Sequence, residues 1–369
     1  MRKTYAQELL SKLSRGISLA NLSQLKFAMA TSIFLSAFIF SLLVIVIIYF
    51  LELNLFLGLF IALGGSALFI LFQYAIGPTV VVATTRLHYL KAGENPWLEK
   101  IVKELTDKTG IPMPKLATVP SNTPNAFTFG RSTAGATLAV HEGLLKQLNE
   151  GEIRGVIAHE LGHIKHKDYI VMTVLSALPL IAYYIAQVTL FAGMFSGGAA
   201  RRRNNKDNSG AILLVIGVIS FIIYILTFLI VMRLSRLREH YADAFSAYLT
   251  GSPRNLQSAL TKITYGLSLE PPKSAESARA FYIEDPSMAK QEISRVMNKK
   301  SEYDLNNDGI LDERELELAM EKEAQSTAAQ MGGLFSTHPA TFKRIFLLRE
   351  IEREMDTGQY SNDKMYSHV

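Results

Sequence analysis

Ala158-His159-Glu160-Leu161-Gly162-His163 sets two histidines four residues apart, with a glutamate beside the first. On a helix such positions share a face, so both imidazoles can reach one point in space. Two neutral imidazoles there bind a single Zn²⁺ at ~2.0–2.1 Å. Glu160 lies next to the metal without being its ligand. It can take the proton of an attacking water and later pass it to a leaving amine. The pattern is short, and two satisfied histidines on a polar helix face compete with the metal reading. A catalytic zinc also needs a third protein ligand and an open fourth position. The chain has no cysteine, so that ligand must be His, Asp or Glu. Arg236-Leu-Arg-Glu239-His-Tyr-Ala-Asp243 offers two carboxylates one helical turn apart. Glu239 can complete a His₂Glu site, and Asp243 can accept the free N–H of a ligating histidine. A solvated charged face is the alternative for this pair.

A second metal pattern runs from Asp304 to Glu315. Asp304, Asn306, Asp308, Asp312 and Glu315 carry oxygen side chains at the first, third, fifth, ninth and twelfth loop positions. Gly309 stands where the sharp turn needs it, and Ile310 offers a backbone carbonyl at the seventh position. That is the ligand order of an EF-hand loop, so Ca²⁺ is the expected ion. Helical patterns over Ile293–Tyr303 and Arg314–Ala324 flank it. A solvated acidic linker is the alternative, and no second loop of the kind is present to pair with it.

The elements that must position these residues include membrane helices. From Phe27 to Thr85 the only charged residue is Glu52, and Tyr169–Ala200 and Asn208–Met232 contain none. Charged residues make up 19 % of the 369, below the ~25 % of soluble chains. This excludes an ordinary soluble protein and a disordered one. The net charge of +5, in a chain largely within lipid, gives no reason to expect nucleic acid. Four apolar spans are predicted: Phe27–Phe50, Leu53–Ile76 ended by Gly77-Pro78, Tyr169–Phe195 and Ala211–Met232. Each is long enough for the ~20 residues a spanning helix needs. Residues 1–26 carry Arg2, Lys3, Lys12, Arg15 and Lys26 among leucines at near-helical spacing. They read as a basic amphipathic segment on a membrane surface or as a plain tail.

The predicted organisation is therefore residues 1–26, a membrane hairpin over 27–80, a first catalytic part over 86–168, a second hairpin over 169–232, and a second catalytic part over 233–369 containing the loop 304–315. In the first part a helix is expected over Pro96–Thr109, strands over Lys115–Val119, Ala126–Gly130 and Ala134–Val140, and a helix over His141–Leu148. The His159 helix opens at Glu150. The basic N-terminal segment favours an inside N-terminus, which places the catalytic parts inside and the Arg201–Lys206 loop outside, against the same rule. Either that loop is an exception or the last two spans do not cross fully.

As a set, H-E-L-G-H-x-x-x-x-D at His159–Asp168 and R-x-x-E-x-x-A-D at Arg236–Asp243 resemble the HtpX-type membrane zinc metalloproteases, relatives of the CAAX prenyl endoproteases. The resemblance runs from the first span to the C-terminal helix; the EF-hand-like loop is an insertion relative to it. It implies an α+β, mostly helical transmembrane protein with a gluzincin-like domain carrying a small sheet with an edge strand. It implies a multi-pass cell-membrane protein with its catalytic domain on the cytoplasmic side. The implied activity is cleavage of misfolded or membrane polypeptides in quality control and stress response. His159, His163 and Glu239 match the ligands of one catalytic zinc per chain, Glu160 the base and Asp243 the acid behind a ligand. Asp168 closes the first motif and anchors its helix. Asn125-Ala126-Phe127 resembles the family's N-A-[FY] segment before an edge strand, which can pair with an extended peptide. The Asn125 amide would hold the substrate backbone, or serve only the turn. His338-Pro339 with Arg344 resembles the family's H-P-x-x-x-x-R segment, which makes His338 a donor to the oxyanion and Arg344 an ion-pair partner. Two rival functions remain, a non-enzymatic membrane chaperone with a structural zinc and a prenyl-protein endoprotease. An intact Glu160 argues against the first, and four spans are few for the second. A transporter is disfavoured because the spans lack a paired ionisable group. The partners implied are polypeptides and the lipid bilayer; the oligomeric state has no sequence signal.

Overall fold

The computed structural model describes residues 22–200, 209–269, 282–306, 308, 311–324, 336–358, 360, 365, 366 and 369. The basic stretch before residue 22 and the Arg201–Lys206 loop lie outside them. The chain divides into two compact units, one formed by 27–77 with 170–234 and the other chiefly by 78–169 with 235–369.

The first unit is built on four long helices: α1 (Leu22–Phe50), α2 (Leu55–Thr85), α6 (Asp168–Ala200) and α7 (Ser209–Thr250). All four are long and apolar enough to cross a bilayer. Phe40 and Leu43 of α1, Ala182 of α6 and Ile223 of α7 form a buried cluster. Phe27, Phe56 and Phe60 face outward, with Phe56 82 % exposed. Such a surface is costly in water and suits hydrocarbon. The expected stop at Gly77-Pro78 is not one, because α2 continues to Thr85 with Pro78 inside it. A proline within a long helix removes one backbone bond, and the turns on either side hold the helix together. α7 joins the predicted fourth span and the Glu239 segment in one helix of 42 residues.

The second unit holds a four-stranded sheet of β1 (His88–Tyr89), β2 (Lys115–Val119), β3 (Ala126–Phe129) and β4 (Thr137–His141). The order is β1-β2-β4-β3, with β2–β4 parallel and the other pairs antiparallel, so β3 is an edge strand. The strand predicted from Ala134 begins three residues later. Ser132 caps a single turn at Thr133–Gly135, which uses up the first residues. The same unit holds α3 (Pro96–Thr109), α4 (Glu142–Gln147), α5 (Glu150–His166), α8 (Pro253–Ser268), α9 (Pro286–Asn298), α10 (Lys300–Tyr303), α11 (Glu313–Ala324) and α12 (Thr341–Asp356). The helix expected over Ile293–Tyr303 is broken at Lys299, which ends α9 and starts α10. A cluster of Ile293, Val296, Tyr303, Leu316, Met320, Phe342 and Ile345 packs α9 to α12 together, with Leu311 against it.

Candidate active site

The site is assembled on α5, α7 and α12. α5 opens with a capping box, in which Asn149 accepts from the Glu152 N–H and Glu152 reaches back to the Asn149 N–H. The helix start is thereby fixed about two and a half turns before His159. Gly162, next to His163 and one turn from His159, lets α7 approach closely. A Cβ there would sit 3.1 Å from the Ala242 Cα and 3.3 Å from Phe245. That contact sets α7 against the face of α5 that carries His159 and His163.

The consequence is a tight group of ligand atoms. His159 Nε2 and His163 Nε2 face each other at 3.1 Å. Glu239 Oε2 lies 3.5 Å from His159 Nε2, and Glu239 Oε1 lies 3.5 Å from His163 Nε2. Among the described residues these three are the group whose ligand atoms all lie within 4.8 Å of one another. Two bonds of ~2.0–2.1 Å at a tetrahedral angle span about 3.3 Å, so the spacing fits three corners of a zinc tetrahedron. The donor set is the His₂Glu of catalytic zinc sites. Glu239 Oε2 is buried with no hydrogen bond of good geometry, although His338 Nδ1 stands 3.3 Å away. A buried carboxylate oxygen without a well-formed hydrogen bond is costly unless a cation satisfies it.

Each imidazole is held from behind by its own carboxylate. Asp243 Oδ1 lies 2.9 Å from His159 Nδ1, and Asp168 Oδ2 lies 2.6 Å from His163 Nδ1. An ionised carboxylate there fixes the proton on Nδ1 and leaves the Nε2 lone pair free. Each carboxylate has in turn a buried guanidinium. Arg344 forks Asp243, with Nε to Oδ2 at 2.9 Å and Nη2 to Oδ1 at 2.7 Å. Arg238 Nε stands 2.9 Å from Asp168 Oδ1. Asp168 thus meets the His163 imidazole directly, a contact beyond closing the motif. Arg344 makes the ion pair expected of it and also contacts Glu284 at 2.8 Å.

Glu160, Asp168, Glu239, Asp243 and Glu284 are buried, against Arg238 and Arg344. The centre is short of positive charge. Burial opposes the charged form of His159, yet the Asp243 and Glu239 carboxylates prevail and hold it up to about 9. A place that draws protons onto its imidazoles accommodates a dication by the same electrostatics. Burial pushes the Glu160 carboxyl up, with the neighbouring His163 and His159 and, least, a hydrogen bond to Thr128 working the other way. A carboxylate raised in this way is a better proton acceptor. His338 is likewise raised, since Glu239 beside it outweighs burial.

The N-A-F segment departs from expectation. Phe127 is core, packed with Val119, Phe129 and Ala139. Ala126 is fully buried, and Asn125, 1 % exposed, accepts at its Oδ1 from the Ile283 N–H at 2.8 Å. What β3 offers is backbone. The His141 N–H donates to the Asn125 carbonyl, so Asn125, Phe127 and Phe129 form the hydrogen-bonded pairs with β4. Ala126 and Thr128 then turn their N–H and C=O away from β4; Ala126 is covered there, and Thr128 is the partly exposed one. His166 and His240 stay outside the ligand group, as read from sequence; His166 bonds to the Tyr366 hydroxyl at 2.8 Å. Arg238, Glu284 and Ile283 have no sequence signal of their role, apart from Arg238 standing next to Glu239.

In the acidic loop, Glu315 Oε1 accepts from the Leu305 and Asn306 N–H groups, and Glu315 Oε2 from that of Asp312. Asp308 N–H donates to Asp304 and Asn306. The loop is thus tied to its own backbone; Ile310 lies outside the described residues.

A histidine pair on one helix, completed by a glutamate from a second and set beside an edge strand, defines a zinc-dependent metallopeptidase. Residues 92–352 match peptidase family M48, and the chain belongs to that family. It is 41 % identical over 210 residues to the Protease HtpX homolog of Methanothermobacter thermautotrophicus, covering 57 % of this chain and 75 % of that one. It is 35 % identical over 289 residues to the Protease HtpX homolog of Thermococcus sibiricus, covering 77 % and 83 %. A crystal structure of Ste24p from S. mikatae overlaps 72 % of this chain and 60 % of that one, at a TM-score of 0.42 and 19 % identity. The protein is a membrane metalloprotease of the HtpX type, a hydrolase acting on polypeptides.

Proposed function

We propose that the protein is a zinc endopeptidase that cleaves misfolded and membrane polypeptides on the cytoplasmic side of the cell membrane. The observation that carries the reading is the convergence of His159, His163 and Glu239 beside a buried Glu160. Bound zinc would supply a Lewis acid that polarises the scissile carbonyl and acidifies a water. His159, His163 and Glu239 would hold it, with Asp243 and Asp168 fixing the imidazoles. A substrate strand pairs with the outward backbone groups of Thr128, which brings it alongside Glu160. Glu160 takes the proton of the attacking water and returns it to the leaving amine. His338 donates to the oxyanion as it forms. This division of labour predicts that Glu160→Gln keeps zinc but loses at least about 10²-fold in cleavage of casein in detergent. Wild-type cleavage must also stop with a chelator. Full activity in Glu160→Gln would remove the mechanism.

The loop 304–315 is proposed to bind Ca²⁺ and to stiffen the region between Glu239 and His338. Its support is the ligand order and the packing of α11 on α12, the helix that carries Arg344. Calorimetry with Ca²⁺ on wild type and Asp304→Ala tests it; no heat with wild type ends the idea.

A further inference from the structure

Each imidazole of the site has a carboxylate behind it, and Glu160 has a partner of another kind. Its carboxyl, 3 % exposed, accepts a hydrogen bond from the Thr128 hydroxyl. Strand parity puts that hydroxyl there. Phe127 and Phe129 point into the cluster they form with Val119 and Ala139, so Ala126 and Thr128 turn their side chains to the opposite face of β3. In the register with β4 their partners are Val140 and Leu138, both fully buried. Of these four side chains Thr128 alone is polar, and α5 packs on the strand that carries it.

The chemistry of a hydroxyl suits the task. A guanidinium beside Glu160 would hold it ionised and make it a poor base. The two buried guanidiniums are engaged elsewhere, Arg344 with Asp243 and Glu284, and Arg238 with Asp168. A second carboxyl would compete for the same proton. A hydroxyl carries no charge and can donate or accept. It donates to the carboxylate before the water is deprotonated. By rotating about its Cβ–Oγ bond it also satisfies the carboxylic acid that results. Threonine is β-branched and stiff at χ1, so its hydroxyl stands in place with little rotamer freedom to lose.

We propose that Thr128 is a positioning residue for the base: its hydroxyl engages one oxygen of the Glu160 carboxyl and leaves the other to take the proton of the attacking water. This rests on the peptidase reading above. The proton passes from the water to that free oxygen and then to the leaving amine nitrogen, while Thr128 keeps its own. β3 thus offers a substrate its backbone and the base one hydroxyl. Both come from Thr128, so a paired peptide and the base are set in register by a single residue.

The test uses the full chain in detergent, loaded with zinc, and a fluorogenic peptide that the wild type cleaves. Thr128→Val keeps the shape and the strand preference and removes the hydroxyl. Thr128→Ser keeps the hydroxyl and loses a methyl. Thr128→Val is expected to lower kcat by about tenfold or more, the loss tied to one hydrogen bond to a charged group. Its KM and zinc content should stay within about twofold of wild type, because binding and the ligands are untouched. Thr128→Ser is expected to return kcat to within about threefold. A threonine that only supports the fold would show the reverse, a lower melting temperature or zinc content with kcat per bound zinc kept. A kcat per bound zinc within about twofold of wild type in Thr128→Val overturns the proposal, as does Thr128→Ser proving as slow as Thr128→Val. Should Thr128→Val lose zinc or fail to fold, Thr128→Ala takes its place under the same expectations. Loss of zinc or of the fold in both assigns the hydroxyl to the fold and ends the proposal. Wild-type cleavage that survives a chelator would strike at the peptidase reading instead, so the two failures are distinct.

Discussion

Replacing Asp243 by asparagine changes one atom at the most constrained point of the site. Asp243 is fully buried. Its Oδ1 accepts from His159 Nδ1 at 2.9 Å and from Arg344 Nη2 at 2.7 Å, while its Oδ2 accepts from Arg344 Nε at 2.9 Å. All three neighbours donate, so a carboxylate satisfies all three and a carboxamide cannot. With its oxygen at the Oδ1 position, asparagine points its NH₂ at Arg344 Nε. The other flip points it at His159 and Arg344 Nη2. The first costs one charge-assisted hydrogen bond, about 1.5–3 kcal/mol, and leaves a buried guanidinium short of counter-charge. His159 then has a weaker acceptor behind Nδ1, and loss of such a partner lowers metal affinity by roughly 10–100-fold, or about 1.4–2.7 kcal/mol. The assay is competition for zinc against a chromophoric chelator, with thermal unfolding measured on the same detergent samples. Asp168→Asn is expected to do less, because Asp168 has a single ion-pair contact from Arg238 and its histidine is partly exposed. Zinc affinity within twofold of wild type in Asp243→Asn would refute the account of how the imidazoles are oriented.

Other perturbations separate ligand, packing and charge. Glu239→Ala should lose stoichiometric zinc while the fold is retained, as read by metal analysis and circular dichroism; full zinc content would remove Glu239 as the third ligand. Gly162→Ala places a methyl 3.1 Å from the Ala242 backbone. It should destabilise by about 1–3 kcal/mol and weaken zinc binding by moving α7, so an unaltered affinity would show the contact to be slack. Glu292 is buried, and burial together with the nearby Glu284 charge pushes its carboxyl up from 4.5 to about 8. The unfolded chain ionises first, so stability falls as pH rises between those values and is level above them. Glu292→Gln should flatten that slope and be the more stable protein at pH 8, by a few kcal/mol at most. Parallel melting curves for the two proteins from pH 5 to pH 8 would disprove it.

Much of the site is legible in sequence because its spacing is local. His159 and His163 share a face through helix geometry alone. Asp168 stands five residues from His163 and meets it across one turn of chain, with Arg238 behind it. The four spans are visible because lipid penalises charge over whole helices. The acidic loop is legible as a pattern for the same local reason. Boundaries failed where two local signals compete. Gly77-Pro78 looks like a stop, yet α2 runs on to Thr85. Ser132 takes three residues from the strand expected at Ala134.

The sequence by itself determined which atoms could bind and activate: two imidazoles, a neighbouring base, and, with no cysteine in the chain, an oxygen or nitrogen donor as the third ligand. Tertiary structure decided who stands behind them and what lies in front. Arg344 reaches Asp243 across 101 positions, and Ile283 reaches Asn125 across 158. No periodicity encodes such meetings, since they arise from helices packing through long closed loops whose ends carry no record of each other. The same packing sent Phe127 into the core and left β3 only its backbone to offer, because strand parity follows from the hydrogen-bonded register with β4.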